Sequence, residues 1–310
     1  MGELLCEIMR PEADMPLDAK GIFLGPFPSG APAIFIDTAA RLGCTAGIIG
    51  GVGRDDFGRC IVDRLKADGV DCRFVQPLDG ATGVAFVTYF RDGSRRFLFH
   101  FADTPATRAK APTADIFGAD AAFFHICGCS LMASTAFGAE ILSVMDRLAG
   151  RGVRVSFDPN IRPELMSGNA EAIGRVMAAA HVLLPGEAEL LAITSCTDIE
   201  SAIRQCFESP NLELLALKRG GRGCTVYTRY SRTDLGVYLI EPVDPTGAGD
   251  CFDAALLCGL LSGKSPVEAA RLASAAAALN TMAFGPMEGD ISPASVATVM
   301  ASATMTEGDA

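Results

Sequence analysis

Asp244-Pro-Thr-Gly-Ala-Gly-Asp250-Cys-Phe-Asp253 runs straight into Ala254-Ala-Leu-Leu-Cys-Gly-Leu-Leu261. Gly247 and Gly249 bracket Ala248 in a turn, and the run behind them is apolar on nearly every side, which predicts a helix buried in a core. Such a helix offers unsatisfied N–H groups and the positive end of its dipole at the turn. Small residues at that mouth let a phosphate or a developing oxyanion approach the amides. Asp250 stands where the turn enters the helix, placed to take a proton from a hydroxyl. An anion cradle beside a base is what phosphoryl transfer from a nucleotide to an alcohol requires. Taken alone, a Gly-x-Gly-Asp also reads as a turn with an acidic cap.

The longer string resembles the C-terminal signature of the PfkB/ribokinase family of sugar and nucleoside kinases. The resemblance implies a ribokinase-like α/β fold with a mostly parallel central sheet, helices on both faces and a small β-sheet lid. It makes Asp250 the catalytic base and the amides of Gly247, Ala248 and Gly249 the anion hole, with Thr246 on the cofactor side. It also implies ATP and Mg²⁺.

Composition agrees with a large globular chain. The 310 residues are 49% hydrophobic and 20% charged, enough for one large α/β domain with an appendage or for two domains. Strand–helix alternation from about residue 112 predicts a mostly parallel sheet with helices on both faces and a small β lid from the early segments. The resemblance implies one kinase domain over 1–310, with the lid at about 10–32 and 74–105. A net charge of −11 without a basic tract argues against binding to a nucleic-acid backbone. The first residues carry no basic stretch before an apolar one, and no apolar run is long enough to span a membrane, so neither a signal peptide nor a membrane anchor is expected. Eleven cysteines in such a chain suggest thiols kept reduced in the cytoplasm. Cys127-Gly-Cys129 is too isolated from other ligands for a metal site.

Along the chain, Leu4 to Met9 reads as a first strand, and the Pro- and Gly-rich residues 10–28 as loops and small strands. The family resemblance makes Glu7 a contact for sugar hydroxyls. Ser29-Gly30-Ala-Pro-Ala-Ile34-Phe-Ile-Asp-Thr-Ala-Ala-Arg-Leu-Gly43 predicts a turn and a helix closed by Gly43. It resembles the family's Gly-Gly-x-x-x-Asn element, which places Gly30 and Ile34 on the substrate. Here Ser29 replaces the first glycine and Ile34 the asparagine, so the sugar contacts must differ. Gly50, Gly53, Asp55 and Gly58 match the family's N-terminal signature, and Asp55 reads as the cap of a helix ending near Asp68.

Thr82 to Phe101 alternates as a hairpin around Asp92-Gly93. Ketodeoxygluconate kinases of the family hold a sugar-acid carboxylate with an arginine in this hairpin. Phe99-His100-Phe101-Ala102 stands in its place here, which favours a neutral sugar, a ketohexose; Arg95 and Arg108 are the residues that would substitute.

Further on, Ala121–Cys127 and Val153–Phe157 predict strands around a helix from Ala133 to Arg151. His125 within the first strand reads as a core histidine. Asp158-Pro-Asn160-Ile-Arg162 falls at a strand's C-terminal end, where open α/β sheets bind ligands. By resemblance, Asn160 and Arg162 face substrate or phosphates. Gly186-Glu-Ala-Glu189 keeps the acid but not the asparagine of the family's Asn-x-x-Glu, so Glu189 is a Mg²⁺ candidate acting through water, or a first-turn acid favoured by the helix dipole. Leu214 to Tyr227 predicts strand, glycine turn and strand. The resemblance puts Lys218, Gly220 and Gly223 beside the nucleotide; the glycines also suit a plain hairpin. A long helix follows from Pro266 to Ala283. Asn280 and the Phe284–Gly289 loop are expected at the adenine, with Asp244 in a loop for a monovalent cation, K⁺.

These expectations combine into an ATP-dependent sugar kinase acting on a ketohexose of the tagatose or fructose kind. Ketodeoxygluconate kinase, ribokinase or nucleoside kinase are the enzyme alternatives, and an inactive sugar-binding regulator the non-enzyme one. Pairing of two lids into a homodimer is a further expectation. A dinucleotide-binding dehydrogenase is excluded, because no Gly-x-Gly-x-x-Gly opens the first helix.

Overall fold

A computed structural model describes residues 1–113, 121–161 and 170–306. The first part contains β1 (Leu5–Met9), β2 (Leu24–Ser29), α1 (Ala31–Arg41), β3 (Gly47–Gly53), α2 (Asp56–Ala67), β4 (Asp71–Leu78), β5 (Gly83–Tyr89) and β6 (Arg95–His100). Then come β7 (Phe123–Cys127), α3 (Gly128–Ala133), α4 (Thr135–Ala149), β8 (Arg154–Asp158), α5 (Ala170–Ala179), β9 (Ala180–Leu183), α6 (Glu187–Thr194) and α7 (Ile199–Cys206). The last are β10 (Leu214–Lys218), β11 (Cys224–Tyr227), β12 (Arg232–Leu235), α8 (Ala248–Leu261), α9 (Pro266–Thr281) and α10 (Pro293–Ser302).

The central sheet runs β12-β11-β10-β9-β8-β7. Strands β7 to β10 pair in parallel, and β11 and β12 complete the edge antiparallel. Both faces are covered. Leu214 and Ala216 of β10 enter one hydrophobic cluster with α8 and α9, while Leu215 and Leu217 enter a second with α4. A strand buried on both faces must be apolar at consecutive positions, as Leu-Leu-Ala-Leu is. The same burial explains α8, where Cys251 through Gly259 are all buried.

A second, four-stranded sheet has the order β2-β1-β5-β6, and β3 pairs with β4 separately. The β5–β6 hairpin turns at Asp92-Gly93, where Gly93 adopts φ 82° and Ser94 N–H bonds the Asp92 carboxylate. Asp55 caps α2 by accepting from Gly58 N, and it also accepts from the amide and hydroxyl of Thr82. It therefore ties the N-terminal glycine turn to the start of the hairpin.

The helix expected over Ala133–Arg151 is interrupted at Ser134. This residue is extended (φ −162°, ψ 151°), and its hydroxyl accepts from Phe137 N to cap α4 separately from α3. His125 is a core residue: its ring stacks on Phe35 with centroids 3.7 Å apart, and its nitrogens meet Ser156 and Cys127. Burial lowers its pKa to about 3. None of the eleven cysteines forms a disulfide, and no described helix is long and apolar enough to cross a membrane.

Candidate active site

The parallel strands end together. Cys127 of β7 is in register with Asp158 of β8, and Gly186 bridges Lys218 at the end of β10. Above these ends, and beneath the four-stranded sheet, lies a cavity of about 570 Å³, a size usual for small-molecule sites. It brings together residues far apart in sequence: Glu7 and Gly30, Asn160, Lys218 and Gly220, Thr246, Gly247 and Asp250 all line it, as do Ile34, Glu189 and Gly249.

The Asp244–Asp250 turn is pinned from several sides. Asp244 is buried; its Oδ1 accepts from Thr246 N (2.9 Å) and Tyr89 Oη (2.8 Å), and its Oδ2 from Gly285 N (2.9 Å). Asn280, fully buried, donates from Nδ2 to the Thr246 carbonyl at 2.7 Å. Gly247 adopts φ 78°, and a β-carbon there would lie 2.5 Å from the Pro286 carbonyl oxygen. Only glycine fits both conditions. The turn therefore holds its amides before any anion arrives, which is the preorganisation that oxyanion stabilisation needs.

Asp250 is in the first turn of α8. Its Oδ1 accepts from Asn160 Nδ2 at 3.4 Å, and Asn160 is held by its own amide on Asp158 Oδ1 with φ 36°. Glu189 accepts from Gly186 N (2.7 Å) and from Ile161 N (3.1 Å), so its carboxylate fastens two strand ends together. Among the described residues no three His, Cys, Asp or Glu converge to hold a metal by themselves. Such a donor set fits Mg²⁺ carried on phosphate oxygens with much of its water retained, and Glu189 would reach it from beyond that water.

Lys218 lies between Asp158 (3.0 Å) and Asp253 (2.9 Å). Burial alone would lower its pKa, but Asp158, Asp253 and Glu189 together raise it, so it stays cationic. Burial and the Asp158 carboxylate push Asp253 well above the usual carboxylate range.

Other expected residues lie elsewhere. Asn280 supports the turn from behind, and the Phe284–Gly289 loop packs Phe284 against Phe27 and Tyr89. Gly223 is outside the cavity, where a β-carbon would meet the Leu235 carbonyl oxygen at 2.0 Å. Ala248 opens α8 between the two lining glycines. Arg162 lies outside the described residues. Arg95 lines the cavity, whereas Arg108 donates to the Asp79 carbonyl.

Sequence reasoning passed over Glu3, Tyr89, Phe97 and Asp253. Glu3 sits four residues before Glu7 and lines the cavity with it; its carboxylate accepts from Cys129 Sγ and Ser130 Oγ. The period-2 spacing was the available signal. Phe97, Phe99 and Phe101 alternate along β6 and its end into one aromatic wall of the cavity, with Phe97 and Phe99 stacked at 5.4 Å.

A carbohydrate-kinase active site is what this arrangement defines, and the chain belongs to the pfkB family of carbohydrate kinases, whose model matches residues 26–292. It is 33% identical over 274 residues to fructokinase-1 of Oryza sativa subsp. japonica, covering 86% of this chain and 84% of that one. Its fold matches a protein described as ribokinase II from E. coli, in complex with ATP and Mg²⁺, at TM-score 0.88 and 36% identity over 97% of both chains. It also matches a fructokinase from Vibrio cholerae bound to fructose, ADP and potassium ion, at TM-score 0.83 and 26% identity over 96% of both. The chain is an ATP-dependent sugar kinase of ribokinase-like fold.

Proposed function

We propose that the phosphoryl acceptor is a neutral ketohexose of the fructose or tagatose kind. One observation supports this reading: two buried carboxylates, Glu3 and Glu7, line the cavity together with the aromatic wall, Glu7 standing in one cross-strand row with Ala85 and Phe99. Carboxylates accept from sugar hydroxyls and repel a sugar acid, while phenyl rings cover a sugar's apolar face. Similarity to plant fructokinases supports the same class. Arg95 does not serve as a carboxylate clamp in this reading. Its guanidinium lies over Phe97 and reaches Thr246 Oγ1 at 3.4 Å, on the cradle side.

ATP supplies the γ-phosphoryl group. Asp250 takes the proton of a primary hydroxyl as that oxygen bonds to phosphorus. The bond from phosphorus to the β,γ-bridging oxygen breaks, and ADP leaves with the electron pair. The amides of Gly247 to Gly249 face the charge that builds on the transferring oxygens. The lid sheet excludes water, so that the sugar competes with no hydrolysis. Glu189 would hold a nucleotide-bound Mg²⁺ through water, where the ion would offset phosphate charge, and the Asp244 loop would hold a K⁺ ion.

An ADP-release assay with ATP and Mg²⁺ against fructose, tagatose, ribose, ketodeoxygluconate and adenosine tests the reading. Turnover is expected on a ketohexose, falling roughly 10²–10⁴-fold in Asp250→Asn. Preferred turnover on ketodeoxygluconate would overturn the argument from Glu3 and Glu7. The absence of any disulfide supports a reducing, cytoplasmic setting. Leu24 and Leu98, exposed on the lid sheet, support a lid-to-lid dimer; a sedimentation run giving only monomer at micromolar concentration would exclude it.

A further inference from the structure

Lys218 and two acidic side chains, from three elements, meet at the cavity: Lys218 and Asp158 line it, and Asp253 reaches the lysine from α8. Lys218 closes β10, Asp158 closes β8, and Asp253 lies one turn along α8 from Asp250. Both acids are buried, Asp253 completely. The lysine side chain keeps 17% exposure and lines the cavity. Its Nζ lies 3.7 Å from the position a β-carbon would take on Gly249, so the ammonium stands directly beside the amide cradle.

Holding one ammonium with two buried acids contributes little to stability, since a buried ion pair barely offsets its own desolvation. What it secures is position. Lysine carries a point charge on a four-carbon stem that is otherwise free to swing. Two acid side chains, one anchored at a strand end and one within a buried helix, remove that freedom. They leave the remaining face of the ammonium directed at the cradle. Asp253 also shares α8 with Asp250 and with the cradle amides, so the cation, the base and the anion hole are referred to one rigid helix.

We propose that Lys218 is a catalytic residue that contacts the phosphoryl group in transfer, beside the Gly247–Gly249 amides, and that Asp253 is the positioning residue that aims it. The inference rests on the kinase reading above. It assigns the lysine to the transferring group rather than to the ribose or the bridging phosphates. A cation at that place is worth more to ATP than to ADP, and more to the transition state than to either.

The test compares ATP and ADP affinities by calorimetry, with Mg²⁺ present, alongside steady-state kinetics. In Lys218→Met, kcat is expected to fall at least about 100-fold with sugar KM within twofold. ATP affinity should fall at least about tenfold more than ADP affinity. Asp253→Asn should lower the ATP-to-ADP affinity ratio and kcat in the same direction by a smaller factor, while ADP affinity holds. The double variant Lys218→Met/Asp253→Asn removes the cation together with one of its two acid partners and preserves the measurement where the single lysine variant fails to fold. An unchanged ATP-to-ADP ratio in the lysine variants would overturn the assignment, and so would an Asp253→Asn protein that melts earlier but keeps ratio and kcat. Wild-type protein that turns over no ketohexose would defeat the substrate reading alone, because the nucleotide ratio is measured without sugar.

Discussion

Tyr89, the last residue of β5, places its hydroxyl 2.8 Å from Asp244 Oδ1 and 2.7 Å from Thr246 Oγ1. A residue of the β5–β6 hairpin thus holds the Asp244–Asp250 turn, 155 positions away in the chain. Burial and the Asp244 carboxylate raise the Tyr89 pKa, so the phenol keeps its proton and remains a donor.

Tyr89→Phe removes that donor and little else. A hydrogen bond to a charged group contributes about 1.5–3 kcal/mol, so the melting temperature should fall by several degrees and kcat by roughly tenfold as the cradle loosens. Melting and kinetics both matching wild type would show that the hydroxyl holds nothing.

The two cradle glycines should respond differently. Gly247→Ala forces a positive φ on a residue with a β-carbon, costing about 1–3 kcal/mol in strain, and collides with Pro286 O; loss of both stability and activity is expected. At Gly249 the added methyl would meet only Lys218 Nζ at 3.7 Å. Gly249→Ala should therefore melt like wild type while its KM for ATP rises. Equal thermal destabilisation of the two variants would contradict this geometry.

Glu7 lines the cavity, and its Oε1 accepts from Ser29 Oγ at 2.7 Å. Glu7→Gln keeps the shape and removes the charge. Sugar KM is expected to rise about 10–100-fold with KM for ATP unchanged, as for a lost charge-assisted hydrogen bond. A rise confined to ATP would place Glu7 on the wrong side of the cavity.

Asp37 of α1 is fully buried, and burial raises its pKa to about 8 despite Arg64 and Arg41 at 3.8 and 3.6 Å. Its folded pKa lies above its unfolded value near 3.8. The stability it contributes is therefore fully present below about pH 4 and is lost as pH rises toward 8. Asp37→Asn carries no such term. Its stability relative to wild type should climb between pH 4 and pH 8, as read by urea unfolding across that range. A difference that stays flat with pH would mean that Asp37 ionises normally.

The sequence by itself determined the glycine turn, the buried helix behind it and the class of fold. The glycine turn entering an all-apolar helix requires a buried α8 with an open N-terminus, whatever surrounds it. Apolar runs such as Leu214–Leu217 require a sheet covered on both faces. These signals are local, so they can be read from neighbours in the chain. Tertiary structure alone decided which distant side chains complete the site. Tyr89 on Asp244, Asp253 with Asp158 on Lys218, and Glu3 beside Glu7 each depend on pairing register or on the meeting of separate elements. It also decided that Asn280 supports the turn from behind. A buried polar residue must find a partner, and the sequence states that need without stating which partner meets it.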